Sequence, residues 1–313
     1  MISIQNEIID LKKQFNIPIL AHYYQPFEIQ EVADYLGDSL GLSRIAKNEI
    51  KNDQFIFAGV IFMAETASVL NQDKNVLVPS KMAHCGLADF LTGEQLDEYK
   101  QKYPDAPVVT YVNSTSAAKA KSDCCCTSSN SIDIVKKIKK EYNAEYILFG
   151  PDANLGDYVE QHTGIDLIKM PSEGHCYVHS QLTADDIQSA KAEHPEASVL
   201  VHPECRREVR DLADVVGSTA QMYNAVEKSS DDEDVFLIGT EKGLMARMED
   251  DFPEKRFYLV SEDLICKDMK KNSLELIKDI FNHLHDGTYE VKVAPNIAEQ
   301  AMKPINKMLK YSE

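Results

Sequence analysis

The side chains best suited to chemistry in this 313-residue chain are its seven cysteines. Three stand together in Ser122-Asp123-Cys124-Cys125-Cys126-Thr127-Ser128-Ser129-Asn130, and the rest are solitary. Thiolates are soft ligands suited to zinc and to iron–sulfur clusters, which makes the triple the first candidate for a metal site. Successive side chains of a strand point to opposite faces, however, so three neighbouring thiols cannot all turn toward one metal. Cys85, Cys176 and Cys266 match no short metal motif, and each taken singly reads as a buried structural cysteine. Their spacing, 91 and 90 residues, changes that reading, because one thiol per repeat is what a threefold three-thiolate site requires.

The interval recurs elsewhere. His22, Tyr111 and His202, at the ends of apolar runs, lie 89 and 91 residues apart; Ser39, Ser128 and Thr219 repeat those intervals, and Gly59, Gly150 and Gly239 lie 91 and 89 apart. Four landmarks thus give one period of about 90 residues. Within each unit, short runs such as "IPILAHYY", "APVVTYVN" and "ASVLVHPE" alternate with helical patterns in the order strand, helix, strand, helix, strand, helix, strand. This predicts an α/β fold of three pseudo-symmetric, doubly wound αβα units with four-stranded parallel sheets. The expected units are 1–85, 86–176 and 177–266, with 267–313 packing back on the first.

Ligands bind at the carboxyl ends of parallel strands. Three units closed around a pseudo-threefold axis would therefore bring the cysteines, the hydroxyl residues and the strand-end side chains into one central active site. The same register sets Asp123 opposite Asp34 and Asp214, and Cys124–Cys126 opposite Tyr35–Gly37 and Val215–Gly217. The cysteine triple is accordingly expected to be the core of a strand.

A formal charge of -18 and a pI near 4.9 argue against a nucleic-acid or anionic-membrane partner, which needs a basic face. An anionic substrate must be held by local dipoles. The N-terminal "MISIQNEIIDLKKQF" has an amphipathic helix pattern without the apolar core of a signal peptide, and no run approaches the roughly 18 apolar residues of a membrane span. A cytoplasmic protein is expected, with reduced thiols. The acidic run Asp231-Asp232-Glu233-Asp234 reads as a solvated loop.

The ordered motifs "AHYYQ", "YLGDSLGLSR", "YVNSTSAAKA", "CTSSN", "GHCYVH", "HPECRREV", "ADVVGSTAQM" and "LIGTEKGL" resemble those of the quinolinate synthases, iron–sulfur enzymes of de novo NAD biosynthesis, from about residue 17 to 272. The resemblance implies condensation of iminoaspartate with dihydroxyacetone phosphate to give quinolinate, with loss of phosphate and water. It also implies a [4Fe-4S] cluster on Cys85, Cys176 and Cys266, whose open iron is a Lewis acid, and a functional link to an L-aspartate oxidase or dehydrogenase that supplies iminoaspartate. Substrate-binding residues would be His22, Ser39, Tyr111, Asn113, Ser128, His202, Glu204 and Thr219. Catalytic roles would fall on Glu204, Tyr24, His22 and Tyr111.

The residue types suit these roles. Ser39, Ser128 and Thr219 stand at strand-to-helix junctions, where free N–H groups and the helix dipole attract carboxylate or phosphate, although ordinary helix caps would look the same. Glu204, desolvated in a cleft, is expected to have its pKa raised toward neutrality and to act as general base and acid, with His202 orienting substrate. Glu65, Asn154 and Glu241 follow the glycine landmarks without an assigned role. From the residues alone, a non-catalytic iron–sulfur sensor and a three-thiolate zinc hydrolase or lyase stay open.

Overall fold

Twelve strands fall into three sets of four. They are β1 (Ile19–His22), β2 (Tyr35–Gly37), β3 (Gln54–Ala58) and β4 (Asn75–Leu77); β5 (Val108–Tyr111), β6 (Cys124–Cys126), β7 (Ile147–Gly150) and β8 (Leu167–Lys169); and β9 (Ser198–Val201), β10 (Val215–Val216), β11 (Val235–Gly239) and β12 (Arg256–Leu259). The computed structural model describes residues 3–230 and 232–313, so Asp231 of the acidic run lies outside the described residues. Each set forms a parallel sheet in which the first strand lies between the second and third: β2-β1-β3-β4, β6-β5-β7-β8 and β10-β9-β11-β12. Helices cover both faces, which is why central strands such as ILAH, VVTY and VFLIG are apolar without alternation and buried throughout.

The repeat is written into hydrogen bonds as well as sequence. Asp34, Asp123 and Asp214 each accept the N–H of the first or second residue of the first strand of their unit: Ile19, Val108 and Val199, all at 2.8 Å. Each aspartate returns its own N–H to the carbonyl of the same residue, at 2.8, 3.0 and 2.9 Å. These brackets bind β2, β6 and β10 to the strands beside them. Cys124, Cys125 and Cys126 pair in register with Val109, Thr110 and Tyr111, and all three are fully buried.

The first sheet departs from four parallel strands. A fifth, β13 (Glu290–Val291), runs antiparallel along β4, pairing Glu290 with Leu77 and satisfying an edge that would otherwise present unpaired backbone groups. The rest of the C-terminal segment divides. Helix Leu274–Ile280 packs on the N-terminal helix Ile4–Phe15, whereas helix Pro295–Tyr311 lies against helix Ile61–Leu70 of the first unit and also across helix Ser116–Ala120 and β6 of the second. Its Ala301, Ile305, Met308 and Leu309 share a core with the cysteine triple, whose short side chains leave an apolar surface that needs a cover. Among the described residues, no helix is long and apolar enough to cross a membrane.

Candidate active site

The carboxyl ends of the three sheets face one cavity containing about 650 Å³ of space between atoms, part of it open to solvent. His22, Tyr24, Ser39, Cys85, Tyr111, Asn113, Ser128, Cys176, His202, Glu204, Thr219 and Cys266 all line it. Cys124, Cys125 and Cys126 do not. Their burial pushes these thiols up, Cys125 to about 12, so they are neutral strand core.

Of the four solitary cysteines, Cys205 is fully buried away from the cavity, and the other three follow β4, β8 and β12 in loops that end in short helical turns, Ala88–Phe90, Tyr177–Ser180 and Met269–Lys271. The loop of the second unit passes close to its own glycine landmark, since a Cβ on Gly150 would lie 2.1 Å from Met170 O. Two of the cysteines are anchored by fully buried carboxylates. Cys176 N–H donates to Asp152 Oδ2 at 3.0 Å and Cys266 N–H to Glu241 Oε1 at 3.2 Å; Lys270 Nζ stands 2.7 Å from the same Glu241 oxygen. The equivalent position in the first unit is Ile61, so Cys85 has no such partner.

Burial raises the thiol pKa values, and the charge of Cys266 adds to the effect on Cys85, as Glu204, Cys85 and Cys266 do on Cys176. Converging soft donors that oppose one another's ionisation in this way suit a shared cation, which would relieve that repulsion. The only set of three His, Cys, Asp or Glu donors within 4.8 Å of one another among the described residues is Cys176, His179 and Glu204; the three cysteine sulfurs are spread more widely.

The hydroxyl residues are not helix caps. Asp38 caps helix Ser39–Asn48 by accepting Gly41 N–H at 2.9 Å, and Ser218 caps helix Thr219–Glu227 by accepting Gln221 N–H at 3.3 Å. Ser39 and Thr219 are the first helical residues, one position inside the cap. Ser128 lies in the turn ahead of helix Ser131–Tyr142. The hydroxyls of Ser39 and Ser128 are thereby left to the cavity, and that of Thr219 to Tyr24, beside N–H groups at the positive ends of helices.

A chain of hydrogen bonds joins two of the units. Thr219 Oγ1 donates to Tyr24 Oη at 3.1 Å; Tyr24 Oη lies 2.7 Å from Thr240 Oγ1, Thr240 Oγ1 lies 2.8 Å from His179 Nε2, and His179 Nδ1 lies 2.6 Å from Glu204 Oε2. With Thr219 donating, the rest follow: Tyr24 donates to Thr240, Thr240 to His179 Nε2, and His179 carries its proton on Nδ1, toward Glu204. His22 and His202 play a different part. Their Nδ1 atoms accept the N–H of Tyr24 at 3.0 Å and of Glu204 at 3.3 Å, and burial lowers both pKa values to about 3, so both rings are neutral.

The pKa of Glu204 moves opposite to the expectation of a raised value. Burial does push it up, but the adjoining His202 ring and the hydrogen bond from His179 Nδ1 outweigh burial and hold the carboxyl below its ordinary range. The group displaced upward is instead Asp152, raised by burial and by the Glu204 charge. Burial likewise raises Tyr24 and Tyr111 well above the usual phenol range. Glu204 Oε1 and Asn113 Oδ1 are buried polar atoms with no protein partner.

His179 and Thr240 were not singled out from the sequence. His179 sits one helical turn beyond Cys176 in "GHCYVH", and Thr240 directly follows the Gly239 landmark, but their partners belong to other repeat positions. Of the three residues without an assigned role, Glu65 accepts from Ser116 N and Oγ, both at 3.0 Å, Asn154 Nδ2 donates to Glu204 O at 3.1 Å, and Glu241 anchors Cys266.

Comparison with known proteins adds a separate line. Residues 6–310 match the family model described as Quinolinate synthetase A protein. The chain is 45% identical over 307 residues to the quinolinate synthase of Pyrococcus horikoshii, covering 98% of each chain. It is 45% identical over 303 residues to that of Thermotoga maritima, covering 97% of this chain and 98% of the relative. To that of Clostridium kluyveri it is 47% identical over 305 residues, covering 97% of both.

Proposed function

The chain belongs to the quinolinate synthase family and is an enzyme of NAD biosynthesis, and from that premise we propose how its cavity performs the reaction. The substrates are iminoaspartate, supplied by an L-aspartate oxidase or dehydrogenase, and dihydroxyacetone phosphate. The products are quinolinate, phosphate and water. The observation that carries this reading is Glu204, whose Oε2 ends a hydrogen-bonded chain while its Oε1 stands unpartnered, in a cavity that also holds one cysteine from each unit.

Cys85, Cys176 and Cys266 would hold a [4Fe-4S] cluster. A single zinc with bonds of about 2.3 Å to sulfur would draw its thiolates within about 4 Å of one another. The wider spread of these sulfurs supports the larger group over zinc. When bound through three thiolates, such a cluster supplies one iron free of protein ligands, a Lewis acid for a substrate oxygen.

The remaining work falls to this chain's own side chains. The N–H groups at the starts of helices Ser39–Asn48 and Thr219–Glu227, with the hydroxyls of Ser39 and Ser128, offer donors to carboxylate and phosphate oxygens, while Thr219, at the same helix start, donates its own proton to Tyr24; among the described residues no lysine or arginine lines the cavity. Asn113 and Tyr111 orient a carboxylate or carbonyl, and neutral His22 and His202 orient substrate without adding charge. Glu204, ionised at rest, takes a proton from substrate at Oε1 and returns one in the dehydrations. Tyr24 holds its proton at rest. A proton accepted at Tyr24 Oη passes through Thr240 and His179 to Glu204 Oε2 without any side chain rotating, because each donor along the chain already points that way.

The test is an anaerobic assay of cluster-replete protein with enzymatically generated iminoaspartate and dihydroxyacetone phosphate. Quinolinate should accumulate. Brown, folded protein that makes none would sink the assignment.

A further inference from the structure

The repeat that aligns the strands also aligns three buried side chains unused by the chemistry above: Gln30, Lys119 and Arg210, spaced by 89 and 91 residues. Each lies on the short helix after the first strand of its unit, Phe27–Gln30, Ser116–Ala120 or Arg207–Arg210, and they are 2%, 0% and 4% exposed. Gln30 Nε2 lies 2.9 Å from Tyr23 O, 3.0 Å from Gln25 O and, in the third unit, 3.0 Å from Gly243 O. Lys119 Nζ donates to Ser114 O at 2.8 Å and, in the first unit, to Thr66 Oγ1 at 3.0 Å. Arg210 donates to Pro203 O at 3.2 Å and, in the second unit, to Asn154 O at 2.6 Å, and it pairs with Asp157.

The acceptors are related by the same period. Tyr23 and Pro203 share one repeat position, Gln25 and Ser114 another, Asn154 and Gly243 a third, and Thr66 and Asp157 a fourth. Every donor therefore ties a carbonyl in the loop bearing its own unit's reacting residues to the first turns of the helix after the third strand of a neighbour. The first unit is tied to the third, the second to the first, and the third to the second. One link stands at each junction, and together they close the ring.

We propose that Gln30, Lys119 and Arg210 are positioning residues, one per junction, that fix the loops 22–25, 111–114 and 202–205 relative to the neighbouring unit and so to the shared cavity. The proposal rests on the assignment of those loops to the reaction. An amide, an ammonium and a guanidinium at one repeat position have in common only an N–H that reaches the same loop, so directed donation, not charge, is the property the position requires. Gly243 supports it independently. A Cβ there would lie 2.7 Å from Tyr23 O and 3.0 Å from Gln25 O, so the junction is built for backbone-to-backbone approach.

Exchange of donors between equivalent positions is the test. Lys119→Gln installs the donor of the first unit, and Lys119→Met keeps the stem and removes donation. In the holoenzyme, amide hydrogen exchange over residues 111–116 should quicken about tenfold in Lys119→Met and stay near wild type in Lys119→Gln, with residues 198–204 unchanged in both. Turnover per bound iron should fall about 10- to 100-fold in Lys119→Met with KM altered far less, since a misplacement of about 1 Å can cost that much, and Lys119→Gln should recover most of it. Should Lys119→Met not fold, Thr66→Val removes the acceptor across the junction at constant volume and should quicken the same amides. Equal exchange in the Gln and Met variants, or equal turnover, overturns the proposal. Failure of the wild-type holoenzyme to make quinolinate would instead overturn the proposed reaction, and the exchange comparison would still decide the brace.

Discussion

Six of the seven cysteines fall into two settings, and the contrast separates identity from placement. On β6, three adjacent thiols are fully buried, neutral and away from the cavity. In the loops after β4, β8 and β12, three thiols about 90 residues apart meet at the cavity wall. Where the repeat sends a cysteine decides whether it meets the cavity, and proximity in sequence is a poor guide to that.

The largest expected effect breaks the comparison directly. Cys85→Ala, Cys176→Ala and Cys266→Ala should each reduce bound iron and sulfide, measured by chemical analysis after anaerobic purification, to near background. Cys125→Ala should retain wild-type iron; its loss there would transfer the ligand role to the strand. Next, Glu204→Gln should lower turnover about 10²- to 10⁴-fold with iron content unchanged, which would separate proton transfer from metal binding. Loss of iron in that variant would make Glu204 part of the metal site.

Acid should act on the cavity and not on the strand. His22 and His202 are lowered to about 3 in the fold, against about 6.5 in an unfolded chain, so the unfolded state binds more protons between those values. Their contribution to stability is complete above about pH 6.5 and is lost as pH falls toward 3. The melting temperature should drop between pH 7 and pH 5, less steeply in His202→Asn and with unchanged slope in Cys125→Ala. A flat wild-type profile would contradict neutral burial of the two rings.

Smaller effects sharpen the contrast further. Cys125→Ala should cost about 1–2 kcal/mol in denaturant unfolding, as expected for a small deletion in a packed core. Ser39→Ala should leave unfolding stability unchanged, because Asp38 makes the cap, and should raise KM several-fold. Loss of about 1 kcal/mol in Ser39→Ala would return that hydroxyl to a capping role.

Much of this was legible in the sequence because a repeat converts spacing into position. His22, Tyr111 and His202 identified strand ends, and Cys85, Cys176 and Cys266 identified loops on the same side. What stayed illegible depends on contacts between different repeat positions. His179 lies between Glu204 and Thr240 of other elements, and nothing in "GHCYVH" reveals either neighbour. The direction of the Glu204 shift is illegible for the same reason: the sequence suggests burial but hides the His202 and His179 rings that outweigh it. β13 was missed because a two-residue strand carries no periodic signal, and the reach of helix Pro295–Tyr311 onto β6 is a choice of neighbour that amphipathicity does not encode.

That helix also has a meaning in time. Chains emerge from the ribosome N-terminus first, and helix Pro295–Tyr311, which covers the cysteine strand, is synthesised about 170 residues after it. Until that helix has been made and has docked, the three β6 thiols lack a cover that in the folded chain completes their burial, so the core around them closes late.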